Sequence, residues 1–173
     1  MKRERHLYGL SGRSGRSGSW RASLRTPAAR CRPVTAADAE ALAALMYEAY
    51  LGTIDDEGES RDDALTEIHG FFAGKYGAPI AGACLVVDRD GGPAAAALIC
   101  DWNERHQTVA GPLVAYVLVH PGARGQGLGT QVMNAVLTQL ADACWGRVFA
   151  VITEGNAPSE ALFGKLGFSR IDD

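Results

Sequence analysis

Apolar residues recur along the chain at two spacings, and the spacing separates the predicted helices from the predicted strands. Helical spacing over residues 35–49 and 65–72 predicts two helices, the first capped by Thr35. An acid-rich loop over residues 52–61 separates them. Residues 28–34 are predicted to form a short strand before the first helix.

The middle of the chain has the pattern of antiparallel strands. Two apolar runs, 80–87 and 94–100, flank an Asp-Gly-Gly sequence within residues 88–92 that favours a hairpin turn. A second hairpin, turning near 103–107, joins the latter run to a third strand, 113–119. These strands therefore follow one another directly in the predicted sheet.

The last third alternates between the two spacings. We predict a helix over residues 127–143, a buried strand over 147–153, a helix over 157–166 capped by Asn156, and a final strand from 168 to 171. The whole order predicts one α/β or α+β domain, a sheet with helices packed on its faces.

Charge is divided unevenly along the chain. Residues 1–32 hold nine of the 17 Lys and Arg residues and one acid, Glu4, whereas the remainder is strongly acidic. Residues 11–18 nearly repeat Ser-Gly-Arg. We therefore predict a disordered basic tail over residues 1–31 and a folded domain over 32–173. A nucleic-acid-binding segment, an organelle transit peptide and an over-extended start remain alternatives.

Cysteines, histidines and hydropathy exclude several classes of protein. The four cysteines form no CxxC pair and the four histidines are isolated in sequence, so we predict no metal site and a reduced, cytoplasmic protein. No apolar run approaches the roughly 18 residues that cross a bilayer. We expect no membrane association.

A glycine-rich loop carries the clearest chemical signal. Arg124-Gly125-Gln126-Gly127-Leu128-Gly129 lies between a buried strand and a long helix. Glycines let the backbone approach a ligand, and the free N–H groups of a helix N-terminus favour an anion, so this context predicts a pyrophosphate site. A helix that simply begins after a turn is the alternative. A Rossmann fold does not fit, because the spacing is G-x-G-x-G and too few residues follow Glu154.

The same region resembles a known family. Residues 117–121 (Val-Leu-Val-His-Pro), the pattern Arg124-x-x-Gly127-x-Gly129 and residues 156–168 are similar to the GNAT superfamily of N-acetyltransferases, with a strong match over about 113–168. The resemblance implies a mostly antiparallel central sheet with helices on both faces. It also implies that strands 113–119 and 147–153 splay apart to admit the pantetheine arm of acetyl-CoA.

The resemblance further implies direct acetyl transfer to a primary amine within a ternary complex. A backbone N–H near Val119 would stabilise the oxyanion. The predicted cofactor-binding residues are Val117, Leu118, Val119, Arg124, Gly125, Gln126, Gly127, Leu128, Gly129, Thr130 and Asn156.

Two features depart from the family pattern. Phe163 stands where the family usually has a tyrosine that protonates the departing thiolate. The sequence given ends at Asp173, so the last strand is expected to be short or missing. Phe163 keeps an acyl-CoA-binding regulatory module without turnover open as an alternative function, and a dinucleotide-dependent oxidoreductase is the less favoured third.

The base and the acceptor are less well defined by the sequence. Glu154 and Tyr116 are the catalytic candidates, Tyr116 as a water-positioner, and Asp101 and Glu104 are further carboxylates for the base. The acid-rich loop predicts a cationic amine, carried by a small molecule or a protein. The sequence leaves a homodimer open, and nucleic acid is not an expected partner.

Overall fold

A computed structural model describes residues 3–11, 31–103 and 110–171 of the protein. Four α-helices occur in these ranges: α1 Ala39–Tyr50, α2 Arg61–Phe72, α3 Leu128–Asp142 and α4 Ala157–Lys165. The strands are β1 Arg5–Ser11, β2 Cys31–Pro33, β3 Ala78–Pro79, β4 Leu85–Arg89, β5 Gly92–Asn103, β6 Ala110–Val119, β7 Arg147–Thr153 and β8 Ser169–Arg170.

The described strands form one eight-stranded sheet in the order β2-β4-β5-β6-β7-β1-β8, with β3 paired to β5. Adjacent strands run antiparallel except for β6 and β7, which are parallel. Helices flank this sheet. The predicted fold class, a mixed and mostly antiparallel sheet flanked by helices, is confirmed, including a short last strand of two residues, β8.

The predicted hairpin between β4 and β5 is present. Asp90 and Gly91 occupy its turn with φ angles of 51° and 88°, between the paired residues Arg89 and Gly92. Positive φ at both central residues matches the right-handed twist of the strands. Of the second predicted turn, near residues 103–107, Asn103 is the last residue of β5 and residues 104–107 lie outside the described part of the chain.

Charged groups fix the starts of the first two helices. The Arg32 guanidinium donates to both carboxylates of Asp38 and Asp88, at 2.6 to 3.2 Å, and so ties β2 to β4 and to the entry of α1. Hydrogen bonds from Arg32 hold the pKa of Asp38 at about 2. At α2, Ser60 and Asp63 bond to each other's backbone N–H in a capping box.

The core lies between the sheet and its helices. The apolar side chains of α1, α2 and α3 that face the sheet are almost fully buried, and the middle of β5 is buried on both faces. Burial of this kind contributes about 25 cal/mol per Å² of apolar surface. Within the described ranges, no helix is both long and apolar enough to cross a bilayer.

The first strand corrects the predicted tail. β1 pairs antiparallel with β7 along its whole length, from Arg5 opposite Thr153 to Ser11 opposite Arg147, and its other edge pairs with β8. Leu10 is buried in the core. The prediction of disorder over residues 1–31 is therefore wrong for Arg5–Ser11, because Leu7, Tyr8 and Leu10 pack with the core and the strand finds its partner far along the chain. Residues 12–30 lie outside the described residues.

We expect the N-terminal strand to be required for stability. Leu10→Ala should lower the free energy of unfolding by about 2–5 kcal/mol, since it removes buried methyl groups and leaves a cavity. For a chain of this size the melting temperature should fall by roughly 5–15 °C. Ser11→Ala, on the same strand but exposed, is the control and should change little. Equal melting temperatures for Leu10→Ala and the wild type would mean that β1 does not pack on the domain in solution.

Candidate active site

A gap opens in the middle of the sheet where β6 and β7 separate. The two strands pair through Leu113–Phe149 and Val114–Ala150, and no pairing between them continues toward Val119. At the same level the register between β5 and β6 shifts, which leaves Ala115 as the extra residue of a β-bulge. A bulge bends its strand and increases its twist. The predicted splaying of these two strands is thus present.

The gap is part of a cleft of about 1510 Å³. One side of the cleft is formed by β6 and the glycine loop, and another by β7 and α4. Val151 of β7 lines the cleft and is 46% exposed, although the residues on either side of it are buried. An extended ligand in the gap would cover this side chain and reach the backbone groups that β6 and β7 leave unpaired.

The glycine loop closes one end of the cleft. Gly125 and Gly127 have φ angles of 75° and 77°, in the left-handed region, and Gly127 caps the N-terminus of α3. Open space surrounds the position of a Cβ at both residues. Gly129 instead packs closely, since a Cβ there would lie 3.4 Å from Val119 and 3.6 Å from Leu162. The loop therefore presents bare backbone and the first-turn N–H groups of α3 to the cleft.

Arg124 holds this loop against the first helix. Its guanidinium donates to the carbonyl of Ala49, near the end of α1, at 2.8 Å, and it also lines the cleft. Gln126 turns away, accepting a hydrogen bond from Arg89 and donating to the carbonyl of Gly122. The loop thus carries one permanent cation beside the helix N-terminus, an arrangement suited to a phosphate anion.

Asn156 joins the end of β7 to the acidic loop. Its amide oxygen accepts from the backbone N–H of Ser159 at 3.0 Å, as the cap of α4, and its amide nitrogen donates to Asp55 at 2.6 Å. The side chain also lines the cleft. Asn156 therefore fixes the position of the loop that borders the cleft as well as the start of α4.

The model of the acetyltransferase (GNAT) family matches residues 39–168, three quarters of the chain. The chain belongs to the GNAT family. It is therefore an acetyl-CoA-dependent acetyltransferase with an amine acceptor. None of the curated proteins matches the chain.

Solved structures of acetyltransferases share the fold of the chain. An aminoglycoside antibiotic 6'-N-acetyltransferase from Acinetobacter haemolyticus is 17% identical, with 83% of this chain and 93% of that chain covered and a TM-score of 0.61. A GNAT-family acetyltransferase from Colwellia psychrerythraea is 12% identical, covering 98% and 53%, with a TM-score of 0.66. The protein yncA from Salmonella typhimurium, with its cofactor acetyl-CoA, is 25% identical over 79% and 77%, with a TM-score of 0.56.

Most of the residues predicted to bind acetyl-CoA lie around the cleft of this acetyltransferase. Nine of the eleven line it: Val117, Val119, Arg124, Gly125, Gly127, Leu128, Gly129, Thr130 and Asn156. The side chain of Leu118 is instead fully buried in the core, and Gln126 does not line the cleft. Leu118 can offer a ligand its backbone alone.

A cluster around Glu67 of α2 lies beside the bulge. Tyr116 of β6 and Tyr76 donate hydrogen bonds to Glu67 Oε1 at 2.5 and 2.7 Å, and Lys75 donates to Oε2 at 2.6 Å. Burial raises the pKa of Glu67, but these hydrogen bonds outweigh it and leave the pKa below its usual value. Burial and the bond to Glu67 raise the pKa of Tyr116. At neutral pH Glu67 is therefore an ionised carboxylate that accepts a hydrogen bond from the protonated phenol of Tyr116.

Sequence reasoning selected Tyr116 and missed Glu67, Tyr76 and Tyr50, all of which line the cleft. Glu67 sits in an ordinary amphipathic helix, and its partners come from two other segments. The periodicity of α2 alone marks Glu67 as a surface acid. The one available signal for Glu67 was that a carboxylate occupies the face of α2 that lies toward a predicted active-site strand.

The other carboxylates proposed as the base lie elsewhere. Glu154 is not among the cleft-lining residues; its side chain is 63% exposed, and its carboxylate lies 3.7 Å from His6 Nε2. Asp101 is exposed on β5 and lines no part of the cleft either. Glu104 is outside the described residues. The geometry thus gives no support to a catalytic role for Glu154.

Phe163 is buried, with 5% of its surface exposed, and still lines the cleft. Its ring meets that of Phe168 edge to face, with centroids 5.0 Å apart. The aromatic pair anchors α4 to the chain that follows it. Phenylalanine at this position therefore has a packing role and offers no proton to a ligand in the cleft.

We expect the glycine loop to lose affinity for acetyl-CoA when it carries a negative charge. Gly127→Asp and Gly127→Asn have nearly the same shape, both tolerate the left-handed backbone, and both can cap α3. Only the carboxylate repels a pyrophosphate, by about 1–4 kcal/mol for charges near 4 Å apart at or near a protein surface. Calorimetry should therefore show weaker binding of acetyl-CoA to Gly127→Asp than to Gly127→Asn. Equal affinities of the two variants would place the pyrophosphate elsewhere.

Proposed function

We propose that this acetyltransferase transfers an acetyl group directly from acetyl-CoA to the primary amine of a cationic small molecule, within a ternary complex. The observation that carries the proposal is the Glu67 carboxylate, held ionised beside the bulge of β6 by Tyr116, Tyr76 and Lys75. An ionised carboxylate at the wall of the cleft attracts an ammonium group and orients its nitrogen.

The charges of the cleft support an anionic donor and a cationic acceptor. Among the described residues that line it are six acids, all contributed by the loop after α1 and by α2: Asp55, Asp56, Glu57, Glu59, Asp63 and Glu67. Three cations line it, Arg5, Arg124 and Lys165. Arg124 stands at the glycine loop, where the pyrophosphate would bind.

Several of these acids also maintain the shape of the loop. The Asp56 carboxylate accepts from the backbone N–H groups of Gly52 and Gly58, at 2.6 and 2.9 Å, which lower its pKa. Glu57 lies 3.5 Å from Arg5. Glu67 is hydrogen-bonded as well, but its bond to Tyr116 places it beside the bulge of β6. We therefore assign the acceptor contact to Glu67 in the first place and to the loop in the second.

The proposed reaction removes two protons from the acceptor ammonium group and delivers one to the sulfur of CoA. The acceptor ammonium loses a proton to Glu67 through water, and the free nitrogen attacks the carbonyl carbon of the thioester. Backbone N–H groups at the splayed end of β6 stabilise the resulting oxyanion. The nitrogen loses its second proton to solvent as the C–S bond breaks, and the departing thiolate takes a proton from solvent, since thiols have a pKa near 8.5. The depressed pKa of Glu67 makes it a weak base, so its larger role is to hold the acceptor.

Two further considerations bear on the acceptor and on turnover. The similar enzyme from Acinetobacter haemolyticus is by name an aminoglycoside acetyltransferase, and an amine-rich sugar is one cationic acceptor consistent with the acidic cleft. A regulatory acyl-CoA-binding module remains the second candidate function, because Phe163 supplies no acid.

A panel assay tests the proposal. Primary amines of net charge zero to several positive charges are incubated with the protein and acetyl-CoA, and free thiol is followed. We expect release that requires the amine and favours the cationic members. Glu67→Gln should raise the KM of a cationic amine roughly tenfold or more, because it removes a hydrogen bond to a charged group, which contributes about 1.5–3 kcal/mol. Its affinity for acetyl-CoA should not change.

Glu40→Gln, an exposed position in the first turn of α1, is the matched control and should behave as the wild type. An unaltered KM in Glu67→Gln would remove Glu67 from the acceptor site. Binding of acetyl-CoA without thiol release for any amine would favour the regulatory module.

Adding a hydroxyl at Phe163 should increase turnover. The ring lines the cleft, so Phe163→Tyr can direct its hydroxyl toward the departing sulfur and add general acid catalysis, which contributes up to roughly 10²–10⁴-fold. Phe168→Tyr is the control: this ring is buried and does not line the cleft. Its hydroxyl would be buried without a partner, at a cost of about 1–3 kcal/mol of stability, with no gain in rate. A Phe163→Tyr protein that is destabilised in the same way would show that the ring edge points into the core.

A further inference from the structure

Three potential metal ligands meet where β1 begins and β7 ends. His6 Nε2 lies 3.9 Å from a carboxylate oxygen of Glu4 and 3.7 Å from one of Glu154, and one ligand atom from each residue lies within 4.8 Å of the others. A backbone hydrogen bond from Glu154 to Glu4 at 2.9 Å places the two residues side by side. The cluster is outside the cleft-lining residues.

The Nε2 atom of His6 has no hydrogen-bond partner in the part of the chain that the structure describes. The side chain is 11% exposed, and its Nε2 is buried without a hydrogen bond among the described residues. A buried polar atom of this kind costs about 1–3 kcal/mol if nothing satisfies it. Both carboxylates are too distant to accept a hydrogen bond from it. Their side chains are exposed by 70% and 63%, so they have room to move toward a shared ligand.

We propose that Glu4, His6 and Glu154 bind one divalent transition-metal ion, with Zn²⁺ as the best match. Imidazole favours zinc and similar ions over Mg²⁺ and Ca²⁺, and carboxylate oxygens complete a set of one nitrogen and two oxygens. The three ligand atoms lie within 4.8 Å of one another, so Zn–N and Zn–O bonds of about 2.0–2.2 Å need only a small movement of the exposed carboxylates. Water fills the remaining position.

Such an ion would fasten the N-terminal strand to β7. Glu4 and His6 come from the N-terminal segment, and Glu154 immediately follows β7 and precedes Gly155 and Asn156 at the cleft. The bound ion would oppose fraying of β1 at its first residues. The sequence predicted no metal because these residues are distant in the chain, and pairing of β1 with β7 alone brings them together.

Calorimetric titration of ZnCl₂ into the tag-free, metal-stripped full-length protein tests the site, with melting temperatures measured alongside. We expect one ion per chain and a melting temperature that rises with zinc concentration. Mg²⁺ at the same concentration should not have this effect. Loss of even an outer partner of a ligand weakens metal binding about 10–100-fold, so His6→Gln should weaken it at least 100-fold.

Glu154→Gln is a second variant. Because the side chain of Glu154 is exposed, the substitution leaves the fold intact, and it should also weaken zinc binding. His69→Gln, an exposed histidine on α2, is the control and should bind as the wild type. Unchanged affinity in both His6→Gln and Glu154→Gln, or no binding to the wild type, would overturn the proposal. Acetyl transfer is not the readout, so the result does not depend on the proposed function.

Discussion

The backbone pairing between β6 and β7 stops after Leu113–Phe149 and Val114–Ala150. Beyond these two pairs, the facing edges of the two strands in the middle of the eight-stranded sheet are not hydrogen-bonded to each other. An interrupted sheet holds together when each side of the gap is supported from its outer edge. β5 supports β6 through an almost continuous antiparallel register, and β1 supports β7 in the same way. The cleft of this acetyltransferase therefore depends on the two ladders along the outer edges of β6 and β7.

The gap leaves backbone groups that need partners. Buried N–H and C=O groups are almost always hydrogen-bonded, so two strand edges facing each other across a cleft favour a ligand that carries amides. The pantetheine arm of acetyl-CoA is such a ligand. The pyrophosphate is favoured in the same way, by the exposed backbone of Gly125 and Gly127 and by the N–H groups at the N-terminus of α3. The donor site is thus built mainly from main chain, which explains why its signature in the sequence is glycine.

Much of the fold and of the donor site was predictable from short stretches of sequence. The Asp90-Gly91 turn, the glycine loop, β7 and the Asn156 cap each depend on residues close together in sequence. β1 was not predictable in that way, because the basic composition of the N-terminal segment hid the apolar residues Leu7 and Leu10. Their partner strand lies more than a hundred residues away. Glu67 was missed for the same reason, since the tyrosines that define its environment come from other elements.

The absence of a tyrosine at position 163 changes where catalysis must come from. Tyr116 is the phenol nearest to Glu67, but its raised pKa and its hydrogen bond to that carboxylate make it a poor proton donor to a thiolate. A thiolate with a conjugate-acid pKa near 8.5 can leave without a donor at neutral pH. Placement of the amine against the thioester then supplies most of the acceleration, because orientation alone can provide about 7–11 kcal/mol of a barrier. If the acceptor binds at Glu67 as proposed, turnover in this enzyme should depend more on how firmly that contact holds the amine than on any single acid or base.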